Sequence, residues 1–231
     1  MIVLGLIIPI SVLSFWLLRG IYYGNDVSSS LPGIFGSFSA AIVTSIFAII
    51  ISMPIVILIS QYKSKFGDII EKLMLSLYGL PHIAVGVSIL FISVKIFPSI
   101  YQSFFALVVS YLIVFIPQAI GGGQASMEQV KSSYIEASLG LGLSKIETFQ
   151  KITFPLIYRG LFAGGALVFL STMKELPQTL LLRPTEFSTM AVDVWSFASE
   201  ALFTQAAFSA FILLAISAIP TYILSTRNLT V

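Results

Sequence analysis

The sequence predicts an all-α integral membrane protein with six transmembrane helices. Three observations carry this prediction. First, 57% of the 231 residues are hydrophobic and only 10% are charged, where a soluble domain carries about 25% charged residues. Mean hydropathy is +1.01. Second, uncharged runs cover 1–18, 27–62, 73–94, 96–127, 160–173 and 201–226, and a membrane helix needs about 20 mainly apolar residues. Third, the apolar character is continuous, whereas the strands of a membrane barrel alternate with period two. A water-soluble enzyme or nucleic-acid binder needs a charged surface and is excluded. The net charge of +2 is too small to indicate a polyanion partner. The absence of cysteine and the single histidine, His82, exclude a disulfide scaffold, a zinc cluster and a thiolate site.

The runs place spans near 2–18, 37–60, 73–95, 103–120, 156–174 and 204–225. The first begins at Met1 with no basic flank, so a cleaved signal peptide is not expected, and the abrupt start fits one half of a longer chain. The fifth has 14 uncharged residues between Arg159 and Lys174, long side chains that can snorkel to the interfaces. No repeat, low-complexity tract or linker interrupts the chain, so residues 1–231 are expected to form one domain.

A cytoplasmic N-terminus places eight basic residues inside (Lys63, Lys65, Lys72, Lys131, Lys145, Lys151, Arg159 and Arg227). Four then lie outside (Arg19, Lys95, Lys174 and Arg183). The excess predicts both termini in the cytoplasm.

Residues 121–155 form the longest polar segment on that side. Met127, Val130, Tyr134 and Ala137 recur at helical spacing, which predicts a short amphipathic helix. Gly140 and Gly142 are expected to break it. Ser144 followed by Glu147 is a capping-box pattern that opens a second helix, and Pro155 is expected to close it. Such a rigid object on the membrane face could be gripped by another protein, or could merely anchor the loop to the interface.

Glu136-Ala137-Ser138, then Gly142, then Ile152 and Pro155 resemble the EAA loop of bacterial ABC-importer permeases, which reads E-A-A, three residues, G, nine residues, I-x-L-P. Ser138 and Phe154 replace the second alanine and the leucine. The resemblance implies the fold of type I importer permeases. It also implies that the loop's first helix couples the chain to an ATP-hydrolysing subunit. No G-x-x-x-x-G-K-[ST] occurs in the chain. The chain is therefore not expected to be an enzyme or to bind a cofactor or metal itself, and ATP and Mg would sit on the partner ATPase.

A second stretch runs Lys174-Glu175-Leu176-Pro177, Leu180-Leu181-Leu182-Arg183-Pro184, then Phe187, Thr189, Ala191 and Trp195. It resembles the K-E-L-P-A-T-L-L-L-R-P region of ferric-iron importer permeases, with Gln178 in place of alanine. Those permeases are usually double-length, and this chain resembles their second half. The resemblance implies a bacterial inner-membrane protein embedded in lipid, with no nucleic acid among its partners. Its partners would be ATPase subunits, a second permease half and an extracytoplasmic binding protein, with ferric iron as substrate. Permeases for thiamine, polyamine, phosphonate, sulfate and molybdate share the loop, and thiamine or another small solute is the alternative substrate.

Lys174, Glu175 and Arg183 are candidates for a charged outer rim; ordinary surface ion pairing is the plainer account. Gly79-Leu80-Pro81-His82 would interrupt the third span, and His82 is a candidate pathway residue, against a packing role. Gly86, Gly160, Gly164 and Gly165 suit close helix packing. An ion-gradient-driven transporter would call for paired carboxylates in the spans, and a receptor would call for a sizeable extramembrane domain. The sequence has neither.

Overall fold

The structure, a computed structural model, describes residues 3–61 and 65–227, so Ile2 of the first expected span and Lys63 of the charge census lie outside the described residues. Helix follows helix: α1 (Ile8–Tyr22), α2 (Leu31–Gln61), α3 (Lys65–Leu77), α4 (His82–Lys95), α5 (Phe104–Met127), α6 (Ser132–Gly140), α7 (Lys145–Thr148), α8 (Phe154–Met173), α9 (Pro177–Leu182), α10 (Met190–Ser199) and α11 (Phe203–Arg227). No strand occurs among the described residues. Some hydroxyls inside the apolar helices are satisfied by their own backbone. Ser52 Oγ donates to Ile49 O (3.0 Å) and Ser93 Oγ to Ile89 O (2.7 Å), which lets them sit where no water competes.

Among the described residues, four helical stretches are long and apolar enough to cross a membrane: Leu4–Tyr22, Ser28–Ser60, Phe104–Met127 and Lys145–Met173. The third span, expected over 73–95 with an interruption at 79–82, is broken there: the chain bends by 105° between α3 and α4, and α3 starts earlier, at Lys65. Pro81 supplies no N–H and disfavours helical geometry at Leu80, and Gly79 offers no side chain to stiffen the turn. Counted as one broken span, the pair makes a fifth, and the described apolar part of α11, Phe203–Ala218, is shorter.

Two further expectations change. Residues 127–137 are not one helix: α5 runs on to Met127, the chain turns, and α6 starts at Ser132. Met127 is buried in a core, while Tyr134 and Ala137 serve another face. A single period therefore joined residues from two elements. Nor does Pro155 end a helix, because Lys145–Met173 is helical throughout. Residues Phe149–Thr153 form a π-helical turn just before the proline. Such a turn widens the helix and loosens the i→i−4 ladder that a proline would otherwise break.

The chain divides into two compact units, each made of separated segments. The first comprises 1–41, 86–108 and 170–231. There α11 packs against α1 and α10. Trp16 stacks on Phe203 (ring centroids 4.7 Å apart), and Asn25 Nδ2 donates to Thr204 Oγ1 (3.1 Å). The second comprises 42–85 and 109–169. Its core is Val56, Ile116, Ile120, Met127, Ile157 and Leu161. Glycines close the seam between α5 and α8. A Cβ at Gly122 would lie 2.5 Å from Gly160 O, and one at Gly164 would lie 2.8 Å from Ala119 Cα. The packing role expected for Gly160 and Gly164 is what forms; Gly122, their counterpart on α5, went unremarked in the sequence.

Candidate functional site

The 121–155 segment builds a rigid knuckle from local chemistry. α6 ends in a Schellman motif: Leu143 N donates to Ser138 O (3.1 Å) and Gly142 N to Leu139 O (3.0 Å). Gly142 has φ +86°, the left-handed conformation that only glycine takes freely. Gly140, by contrast, is the last residue of α6 and helical.

Two residues after Gly142 the chain enters α7 through a complete capping box. Glu147 N donates to Ser144 Oγ (3.2 Å), and Ser144 N donates to Glu147 Oε2 (2.9 Å). Lys151 Nζ lies 3.7 Å from Glu147 Oε1 on the next turn. Both are largely exposed, so this pair adds little stability.

What locks α6 onto α7 is buried. Ser138 Oγ donates to Ile135 O (2.8 Å) and lies 2.9 Å from Thr148 Oγ1. A serine has one hydroxyl hydrogen, so Thr148 is the donor in the second bond. Ser138, a mild departure from the motif by sequence, is here the hydrogen-bonded pivot of the knuckle.

A groove of about 450 Å³ opens between α6 with its turn and the π turn that leads into α8. Ala137, Ser138, Ile152 and Pro155 all line it, with Tyr134, Leu141 and Leu156. Four of the six motif residues are thus brought together. Glu136 is exposed on α6 and Gly142 exposed at the turn, and neither lines the groove. Leu141 and Ile146 are 85% and 70% exposed. Apolar side chains so displayed on a polar loop offer a surface for another protein.

The remaining candidates lie elsewhere. His82 opens α4 just after the bend, half-buried, its ring edge-on to Phe115 (5.4 Å between centroids). Lys174 is exposed, whereas Glu175 is 4% exposed. Its Oε1 accepts from Gln178 N (3.2 Å), in the first turn of α9. Arg183 follows α9, half-buried, and Nη1 donates to Phe187 O (3.2 Å). Glu175 and Arg183 therefore bracket a short helix whose Gln178 and Thr179 are fully buried, and of the three proposed rim residues Lys174 is the exposed one. No cluster of three or more His, Asp or Glu side chains suited to a metal occurs among the described residues.

The chain as a whole is similar to known proteins. An Fe(3+)-transport system permease protein, FbpB 2, of Haemophilus influenzae is 29% identical over 224 residues, covering 96% of this chain and 44% of that protein. A molybdate/tungstate transport system permease protein, WtpB, of Methanocaldococcus jannaschii is 28% identical over 149 residues, covering 62% of this chain and 60% of that one. The chain thus spans about half the length of these relatives. A chain from inward-facing crystal structures of the MetNI methionine ABC transporter superposes with a TM-score of 0.66 at 14% identity, covering 92% of this chain and 96% of that one. The model of the binding-protein-dependent transport system inner membrane component family matches residues 1–227. On that match the chain belongs to this family of membrane transport components.

Proposed function

We propose that the chain is the permease subunit of an ATP-driven importer of the bacterial inner membrane, with both termini cytoplasmic. It forms half of a translocation pathway and pairs with a second permease half. The observation that carries this reading is the knuckle at 132–156: a hydrogen-bonded α6–α7 unit with its apolar groove, on the residues that match the coupling loop, in a chain of this family. An ATPase subunit grips the knuckle, and hydrolysis there turns the pathway between its inward and outward states. The chain itself binds no nucleotide. ATP and a loaded binding protein favour one state by differential affinity.

The proposed substrate is ferric iron, presented by an extracytoplasmic binding protein. The Lys174–Pro184 run and the iron-transport relative support it. Hard Fe(III) prefers oxygen ligands, and the spans hold hydroxyls and few carboxylates, so recognition rests with the binding protein. The second reading is an oxyanion or other small solute, which the molybdate/tungstate relative favours.

Deletion of the gene tests the substrate. Ferric-iron uptake should fall while molybdate and thiamine uptake stay unchanged, and the reverse pattern would move the assignment. Orientation is tested by single cysteines at Gln124 and Ser188, which should label from opposite faces, the first from inside.

A further inference from the structure

Residues 183–193, leading from α9 into α10, are seated on the first two turns of α2. Met190 N donates to Ser37 Oγ (2.8 Å). A Cβ at Gly36 would strike the Ser188 carbonyl oxygen, and one at Gly33 would strike Asp193 Oδ2. Positions 33, 36 and 37 share one face of the helix. Two of the three are glycine, so α2 leaves open the space that the segment occupies.

Asp193 is the ionisable group in this seat, and it is 6% exposed. Oδ1 accepts from Ser188 Oγ. Oδ2, against Gly33, has no hydrogen-bond partner. The N-terminal amides of α2 therefore do not hold it, and Pro32 has none to offer. A buried carboxylate with one oxygen unpaired is costly, whereas a neutral carboxyl is tolerated.

The surrounding charges are sparse. Arg183 attracts the ionised form from the preceding loop, and Glu186 beside it is exposed. The first two turns of α2 carry no titratable side chain, nor does the Phe203–Ala218 part of α11, the helix that packs on α10. Asp26, ahead of α2, is exposed and bonded to Ser28. Burial outweighs Ser188 and Arg183 and raises the Asp193 pKa from its ordinary value.

We propose that Asp193 is a protonation-controlled latch for the 183–193 segment. With the proton bound, the segment lies on Gly33 and Gly36. When the proton passes to water, the charge draws solvent to Oδ2 and the segment lifts away. The latch sits in the link between α9 and α10 and sets an upper pH limit on the seated arrangement of that link.

The test uses the purified chain in detergent. Ala191→Cys replaces a residue that is 8% exposed in the seated segment. Its maleimide labelling should quicken as the pH is raised, by roughly tenfold more than in the same cysteine variant carrying Asp193→Asn, as expected when loss of the carboxyl proton frees the segment. The paired comparison cancels the thiol's own ionisation. Ser188→Ala removes a hydrogen bond that favours the ionised form, so the transition should move to higher pH, and Arg183→Gln should move it the same way. Identical pH curves with and without Asp193→Asn would overturn the latch. So would a shift to lower pH in Ser188→Ala, which decides alone if Asp193→Asn does not fold. Neither readout involves transport, so failure here leaves the permease reading untouched.

Discussion

Thr148 donates a hydrogen bond to Ser138 across the α6–α7 turn, 2.9 Å between two hydroxyls that are 3% and 4% exposed. Removing one partner strands the other in a buried place, which costs about 1–3 kcal/mol. Ser138→Ala should therefore loosen the knuckle more than Ser138→Ala combined with Thr148→Val, although the double variant loses more polar atoms. Hydrogen-exchange protection of the Leu141–Thr148 amides reads this directly. Equal loss in the two variants would show that the pair does not join the helices.

The capping box makes a second local prediction. Ser144→Ala deletes the acceptor for Glu147 N and the side chain that Glu147 reaches back to. Loss of such a cap costs about 1 kcal/mol, so the α7 amides should exchange roughly fivefold faster. Ser144→Asp, which keeps an acceptor, should restore most of the protection. In the proposed assembly, co-purification of the ATPase subunit should follow the same order.

The seam between α5 and α8 separates two kinds of glycine. A Cβ at Gly164 would meet Ala119 Cα at 2.8 Å and Gln118 O at 2.9 Å, both backbone atoms that cannot rotate away. A Cβ at Gly121 would meet only Tyr78 Oη, at 3.9 Å. Gly164→Ala should thus lower the thermal midpoint of the purified chain by several degrees, on the usual scale for a loss of about 1–3 kcal/mol from overpacking. Gly121→Ala should leave the midpoint level or raise it. A harmless Gly164→Ala would mean that the helices part readily there.

Much of this could be read from residues alone, where one local rule decides the outcome. The apolar runs produce helices, Ser144 and Glu147 cap one, and Gly142 takes the turn. Legibility fails where two elements share a pattern or a long-range contact overrides a local one. The period joining Met127 to Ala137 crossed a turn, and Pro155 passed into a helix because the π turn before it absorbed the ring. Glu175 read as a surface charge because neighbouring Lys174 is one, yet it is buried against the first turn of α9. Asp193 drew no attention as a lone acid in a loop. Its one signal was the apolar run around it, Met190-Ala191-Val192-Asp193-Val194-Trp195, which no solvated carboxylate would choose.

Gly140 and Gly142 stand two residues apart, and the same substitution should have opposite effects at the two sites. Gly140 ends α6 in helical geometry, and a Cβ added there would meet nothing within 4 Å. Alanine there only removes the freedom of the unfolded chain, and should stabilise by about 0.5–1 kcal/mol. Gly142 also has open space around it, so no clash forbids a side chain, but φ is +86°. Placing an L-residue there costs about 1–2 kcal/mol from its own backbone, least for Asn or Asp, which tolerate this region, and most for β-branched Val. The order of knuckle stability should be Gly140→Ala, wild type, Gly142→Asn, Gly142→Ala, Gly142→Val. Exchange protection of Leu143 N, which closes the turn onto Ser138 O, measures it in the isolated chain. Retention of the ATPase subunit through purification measures it in the assembly. If Gly142→Val keeps both at the wild-type level, the left-handed turn is not what shapes the gripping surface, and the groove between α6 and α8 must hold its form by side-chain packing alone.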